Sequence, residues 1–174
     1  RLGLQGIDST KYRDELADIG VLAHYLIMCD LTGETADVSD YSKNQIDQAE
    51  NALLSYFAWK KGHEVKPMLV EAPIVSERGF GGTIDLYASI DGEPTLVDFK
   101  TGRGLYPEMV YQLAAYQQLI VEAGYLFGQA RLLRIGRNAD EGFEEKVVRD
   151  LAREWDIFCH CLAIYKLQHV KEAK

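Results

Sequence analysis

Cysteine is scarce. Three residues, Cys29, Cys159 and Cys161, stand in a chain of 174, an odd count with no disulfide framework, which suits a reducing cytoplasm. Cys159 and Cys161 are two apart in a helical stretch and so point to different faces. A metal or iron–sulfur site needs more ligands at better spacing. The cysteines are therefore read as buried free thiols, and no iron–sulfur cluster is expected. Positive charge is also short: 19 Lys and Arg against 27 Asp and Glu leave a net charge of −8. A protein that coats nucleic acid through diffuse electrostatics is basic, so that class is excluded. An enzyme that holds cations is not. No apolar run approaches the length needed to cross a bilayer, and no signal-peptide pattern precedes the first helix, so a cytoplasmic location without a membrane partner is expected. The start at Arg1 rather than Met implies that a short N-terminal piece is missing. Repeats, low-complexity tracts and Pro/Gly-rich linkers are absent as well, so residues 1–174 are expected to form a single domain.

What is there falls into segments of two periods. Residues 11–31 carry Leu16, Ile19, Ala23, Leu26 and Ile27 at helical spacing, with Gly33 as a C-cap. A second helix is expected over 41–62, with Ile46, Ala49, Leu53, Leu54 and Phe57 on one face. The period then changes. Residues 66–77 read as a strand whose Pro73 implies an edge or a bulge. Residues 82–90 and 94–100 read as two more, joined by Asp91-Gly92-Glu93, a strong hairpin signal. A helix over 107–123 has Pro107 at its first position and Gly124 after its end. A fourth strand fits 129–135 and a last helix 149–168. The expected class is α/β, a mixed sheet of about four strands flanked by helices in the order αα-βββ-α-β-α.

The chemistry concentrates in "PTLVDFKTGRG", residues 94–104. Alternation along a strand puts Asp98 and Lys100 on one face and Val97, Phe99 and Thr101 on the other. Pairing about the Asp91-Gly92 turn brings Asp85 of the preceding strand near Asp98. Two close carboxylates repel each other and are costly to desolvate unless a hard cation lies between them. Mg²⁺ or Mn²⁺ fits such oxygen ligands, and a lysine beside it can orient water or offset phosphate charge. The same residues also suit a buried Asp–Lys ion pair with Asp85 solvated at a strand end. Spacing alone does not choose. In "MVYQLAAYQQL", Gln112 and Tyr116 are four apart and share a helix face.

In order along the chain, His24, Gly82-x-x-Asp85, Asp98-Phe99-Lys100 and Gln112-x-x-x-Tyr116 resemble the RecB-like branch of the PD-(D/E)XK nucleases. This branch also contains phage exonucleases and the nucleases of CRISPR spacer acquisition. The resemblance covers roughly residues 15–137, and the ordered set is far more specific than a lone D-x-K. It implies a restriction-endonuclease-like fold. It implies further that His24, Asp85, Asp98 and the backbone carbonyl of Phe99 bind Mg²⁺ or Mn²⁺, with Glu71 as a further acid on the first strand. Lys100 would be the catalytic lysine, and Gln112 and Tyr116 would support the site and contact DNA. The cysteine cluster of the iron–sulfur members is lacking here, as is any helicase phosphate-binding loop, so the chain is not expected to translocate by itself.

The leading expectation is a Mg²⁺- or Mn²⁺-dependent DNA nuclease, an exonuclease of phage or recombination type acting on DNA, with a recombination or single-strand-binding protein as partner. The alternative is a non-cleaving DNA-binding or assembly subunit that keeps the fold. With a net charge of −8, phosphate contacts must be concentrated. Arg103, in the Gly-flanked loop after the metal strand, leads the candidates, followed by Arg78 and by Arg131, Arg134 and Arg137 along the fourth strand.

Overall fold

A computed structural model describes residues 9–169 of the chain. Its elements run α1 (Ser9–Thr32), α2 (Lys43–Lys60), β1 (Val65–Ser76), β2 (Phe80–Ile90), β3 (Glu93–Lys100), α3 (Pro107–Glu122), β4 (Gln129–Ile135), β5 (Phe143–Val148) and α4 (Ala152–His169). The strands form one mixed sheet in the order β1-β2-β3-β4-β5, flanked by the four helices. This is the expected α/β class with one strand more than the four expected. The addition, β5, reads FEEKVV and leaves four of its six residues exposed, so it lacks the apolar run that marks a strand in sequence.

Local chemistry sets the register that the site needs. Asp91 and Gly92 both adopt positive φ, 53° and 86°, the conformation of a two-residue turn whose twist matches the flanking strands. That turn pairs Ile90 with Glu93 and carries β2 antiparallel along β3 as far as Leu86 opposite Val97. On the other side of β2, β1 runs antiparallel with Val70 opposite Leu86 and Ala72 opposite Ile84. β1 is an edge strand, which accommodates Pro73, a residue that cannot donate to a ladder.

By contacts between residues the chain divides into two compact units. One comprises residues 1–64, 99–103 and 133–144, and the other residues 65–98, 104–132 and 145–174. In the first, α1 and α2 pack together. The buried stripe of α1 is Ile19, Leu22, Ala23, Leu26 and Ile27, close to the expected face. Gly33 ends the helix at φ 77°, and the N–H groups of Gly33 and Glu34 donate to the Cys29 carbonyl, satisfying carbonyls that a helix end leaves open.

α2 differs from expectation. Its buried residues are Ala49, Ala52, Ser55, Tyr56 and Trp59, whereas Leu54 and Phe57 are exposed. Two large aromatics turn the helix by about one position. The Tyr56 hydroxyl donates to Asp30 at 2.9 Å and Lys60 binds the same carboxylate at 2.6 Å, so the polar tip of Tyr56 is satisfied as its ring is buried. Phe99 completes this core, with Tyr56 edge-on at 5.8 Å and His24 edge-on at 6.0 Å.

The second unit packs α3 on β1 and β2 and against α4. Its core joins Ile84, Tyr87 and Leu96 of the sheet to Val110, Leu113 and Leu119 of α3. α4 buries no residue completely, which corrects the expectation of buried thiols there. Cys161 is exposed and Cys159 half-buried, while Cys29 is buried as expected.

The hairpin turn offers a clean test of this register. Nothing lies within 4 Å of a Cβ built on Gly92, so Gly92→Ala carries a backbone penalty alone. It should lower stability by about 1 kcal/mol, read as a lower urea midpoint with an unchanged denaturant slope.

Candidate active site

The sheet register aligns three acids. Extending the Leu86–Val97 pair by one residue, and taking the residues between the Val70–Leu86 and Ala72–Ile84 pairs, sets Asp85 between Glu71 and Asp98. Asp98 is 1% exposed and Asp85 8%, and ligand oxygens of Glu71 and Asp85 lie within 4.8 Å of one another. Glu71 holds φ at 46°, a left-handed conformation unusual for glutamate that costs on the order of 1 kcal/mol and tends to mark functional positions. The family resemblance offered Glu71 only as a further acid on the first strand, and its neighbours Val70 and Ala72 carry no signal of the positive φ.

α3 supplies the lid of this group. Gln112 donates to the Tyr116 hydroxyl at 2.7 Å, the one-face spacing expected of residues four apart. Burial raises the Tyr116 pKa. Hydrogen bonding from Gln112 opposes that rise, and the negative charges of Asp98, Asp85 and Glu71 add to it. Tyr116 therefore keeps its proton well into the alkaline range and reports the field of all three acids. The ring has room only because position 82 is glycine. A Cβ there would lie 2.5 Å from Tyr116 Cε1 and 3.2 Å from its hydroxyl oxygen. The Gly82-x-x-Asp85 spacing thus has two physical parts: glycine seats the tyrosine, and the aspartate faces the other acids.

The donor set matches a hard divalent cation. Three carboxylates at neighbouring positions, two of them buried, repel one another, and oxygen-ligated Mg²⁺ or Mn²⁺ relieves that repulsion. Glu71 and Asp85, whose oxygens lie together, could hold such an ion, with Asp98 next to Asp85 on β3.

The other expected residues are placed as follows. Lys100 lies two residues after Asp98 on β3, hence on the same strand face, and is half-buried. Phe99 is 2% exposed in the core of the first unit, with the His24 ring of α1 against it. Arg103 is exposed in the loop after β3. Arg78 pairs with Glu122 at 3.1 Å and lies over the Trp155 ring at 5.6 Å. Two arginines of the fourth strand are engaged by β5, which the sequence reading lacked. Arg131 binds Glu145 at 2.9 Å and Arg134 binds Glu144 at 3.1 Å. Arg137 follows β4, its backbone N–H donating to Glu141. The Glu-Glu pair of β5, set opposite arginines spaced three apart, was the available signal.

A family model described as the PD-(D/E)XK nuclease superfamily matches residues 9–169. The chain belongs to the PD-(D/E)XK nuclease superfamily. Among solved structures, the crystal structure of LHK-Exo in complex with dAMP shares 14% identity with this nuclease-family chain. It covers 88% of this chain and 90% of its own, at a TM-score of 0.40. An alkaline exonuclease, LHK-Exo from Laribacter hongkongensis, shares 14% identity over 87% of each chain at a TM-score of 0.32. No curated protein matches. Among the described residues no helix is long and apolar enough to cross a membrane.

Seating of Tyr116 by Gly82 is testable. Gly82→Ala should expel the ring and lower stability by about 1–3 kcal/mol, the scale of overpacking. Freed from burial and from the three acids, Tyr116 should then titrate nearer the ordinary tyrosine value of about 10. Ultraviolet titration of the variant, with Tyr116→Phe identifying the contribution, reads this directly. An unchanged late titration would mean that the ring had not moved.

Proposed function

We propose that this chain is a Mg²⁺- or Mn²⁺-dependent deoxyribonuclease, an exonuclease that hydrolyses phosphodiester bonds during DNA recombination, repair or phage DNA processing. The observation that carries the reading is the alignment of Glu71, Asp85 and Asp98 across three neighbouring strands, in a chain of a nuclease superfamily. A cytoplasmic location and the RecB-like, phage-exonuclease branch belong to the same proposal, as does a recombination or single-strand-binding partner.

Each residue takes a role that its chemistry allows. Asp85 and Asp98 hold the cation, and the family pattern adds His24 and the Phe99 carbonyl as further ligands. A bound Mg²⁺ or Mn²⁺ supplies charge to offset the phosphate and lowers the pKa of a coordinated water. Lys100, on the Asp98 face of β3, orients the attacking water or takes up its proton, and offsets charge that builds on the phosphate. Tyr116 stays protonated and donates a hydrogen bond, with Gln112 fixing its hydroxyl. Exposed Arg103, in a loop bounded by Gly102 and Gly104, contacts the DNA backbone.

End-labelled DNA is the direct substrate. Cleavage should require Mg²⁺ or Mn²⁺, with Mn²⁺ serving well because it accepts an imidazole nitrogen more readily. Full activity in excess chelator would sink the metal assignment. Lys100→Ala should fold normally and cleave about 10²-fold more slowly or worse. Lys100→Arg should not restore the rate, since a guanidinium does not lose its proton at working pH. Normal cleavage by Lys100→Ala would leave the lysine a structural ion-pair partner. Arg103→Ala should weaken DNA binding in Ca²⁺ and flatten its salt dependence by about one phosphate contact. An unchanged slope would place the DNA path elsewhere.

A further inference from the structure

Beside the Gln112–Tyr116 pair lies a second feature that the hydrolytic chemistry leaves unused. It is a cavity of about 360 Å³ beside α3, lined along that helix by Glu108, Tyr111, Gln112, Ala115 and Tyr116. β2 closes one side with Phe80 and Gly81, and α4 closes another with Phe158 and Cys161. Ala115 contributes almost no bulk on the α3 side, which helps to leave the space open. The aromatic wall is braced from behind. Phe80 meets Phe158 at 5.1 Å, and Trp155 stacks on Phe158 at 5.6 Å with 19° between the rings.

Its chemistry selects the occupant. Among the described lining residues there is no lysine or arginine, and Glu108 brings a negative charge. A phosphate is therefore disfavoured, and a flat uncharged group is favoured. Tyr116 belongs both to this cavity and to the field of Asp98, Asp85 and Glu71. A molecule with a phosphate at the acids thus has a neighbouring part at the mouth of an aromatic pocket. Nucleotides have that form.

We propose that this cavity is a nucleobase subsite, in which a base of the DNA strand leaves its stack and lies against Phe158, Phe80 and Tyr111, while its phosphate is presented to the acids. The proposal rests on the nuclease reading and deepens it. Every base has an aromatic face, so stacking of this kind holds a strand in place with little sequence preference. Glu108 at the rim can accept a hydrogen bond from an exocyclic amino group, which gives thymine the weakest hold.

The test uses the full chain, Ca²⁺ in place of Mg²⁺, and short single-stranded oligonucleotides that each lack a base at one successive position. Loss of the base at one position should weaken binding roughly tenfold, the scale of a single base–aromatic stack, and loss elsewhere should do much less. Ala115→Leu, which fills the cavity, and Phe158→Ala, which removes its wall, should both erase that difference. A second readout needs no variant. The intact oligonucleotide should slow alkylation of the exposed Cys161, mapped by mass spectrometry, and the oligonucleotide lacking the critical base should not. A flat profile, or a profile unchanged in both variants, overturns the subsite even if the wild-type chain cleaves DNA. Failure of the wild-type chain both to bind and to cleave DNA overturns the nuclease reading, and this one falls with it.

Discussion

Mutual repulsion of three carboxylates is the constraint around which this protein is arranged. A sheet interior is a poor place for negative charge, because desolvation penalises the ionised form and each acid raises the cost of its neighbours. Yet the pairing of β1, β2 and β3 puts Glu71, Asp85 and Asp98 side by side, and two of them are almost fully buried. A divalent cation bound at the cluster, as proposed, would offset that cost. The positive φ of Glu71 is a second local cost at the same place, and costs of this kind gather where function requires them.

The rest of the second unit serves that alignment. A turn with two positive φ residues fixes the β2–β3 register, and a shift by one residue would send Asp98 to the other face. Packing of Leu113 and Leu119 on the sheet sets the height of α3, and with it the position of Tyr116 over Gly82. In the first unit Phe99 is clamped between Tyr56 and His24. Its burial anchors the end of β3, where Lys100 follows.

The sequence made the Asp85–Asp98 pair legible because strand alternation and a two-residue turn are local rules with few exceptions. The hairpin, the helix ends at Gly33 and Gly124 and the edge position of Pro73 follow from the same kind of rule. What was less legible depended on distant partners. The buried stripe of α2 is decided by Tyr56, whose hydroxyl needs Asp30 of another helix, so a face drawn through Leu54 and Phe57 was off by about one position. β5 was missed because Glu144 and Glu145 look like loop residues unless Arg134 and Arg131 are set opposite them. The same pairing explains why those arginines, candidates for phosphate contact by charge alone, are already engaged. Cys161 looked apolar enough to bury, but α4 buries no residue completely.

The central claim is that the acid row is a cation site, and thermal unfolding with and without Mn²⁺ tests it most directly. A ligand bound by the native state stabilises it by about 2.7 kcal/mol at a hundred times its dissociation constant. The wild-type midpoint should therefore rise with Mn²⁺ concentration. Asp98→Asn should lose most of the response to Mn²⁺. A wild-type midpoint indifferent to Mn²⁺ would contradict the account.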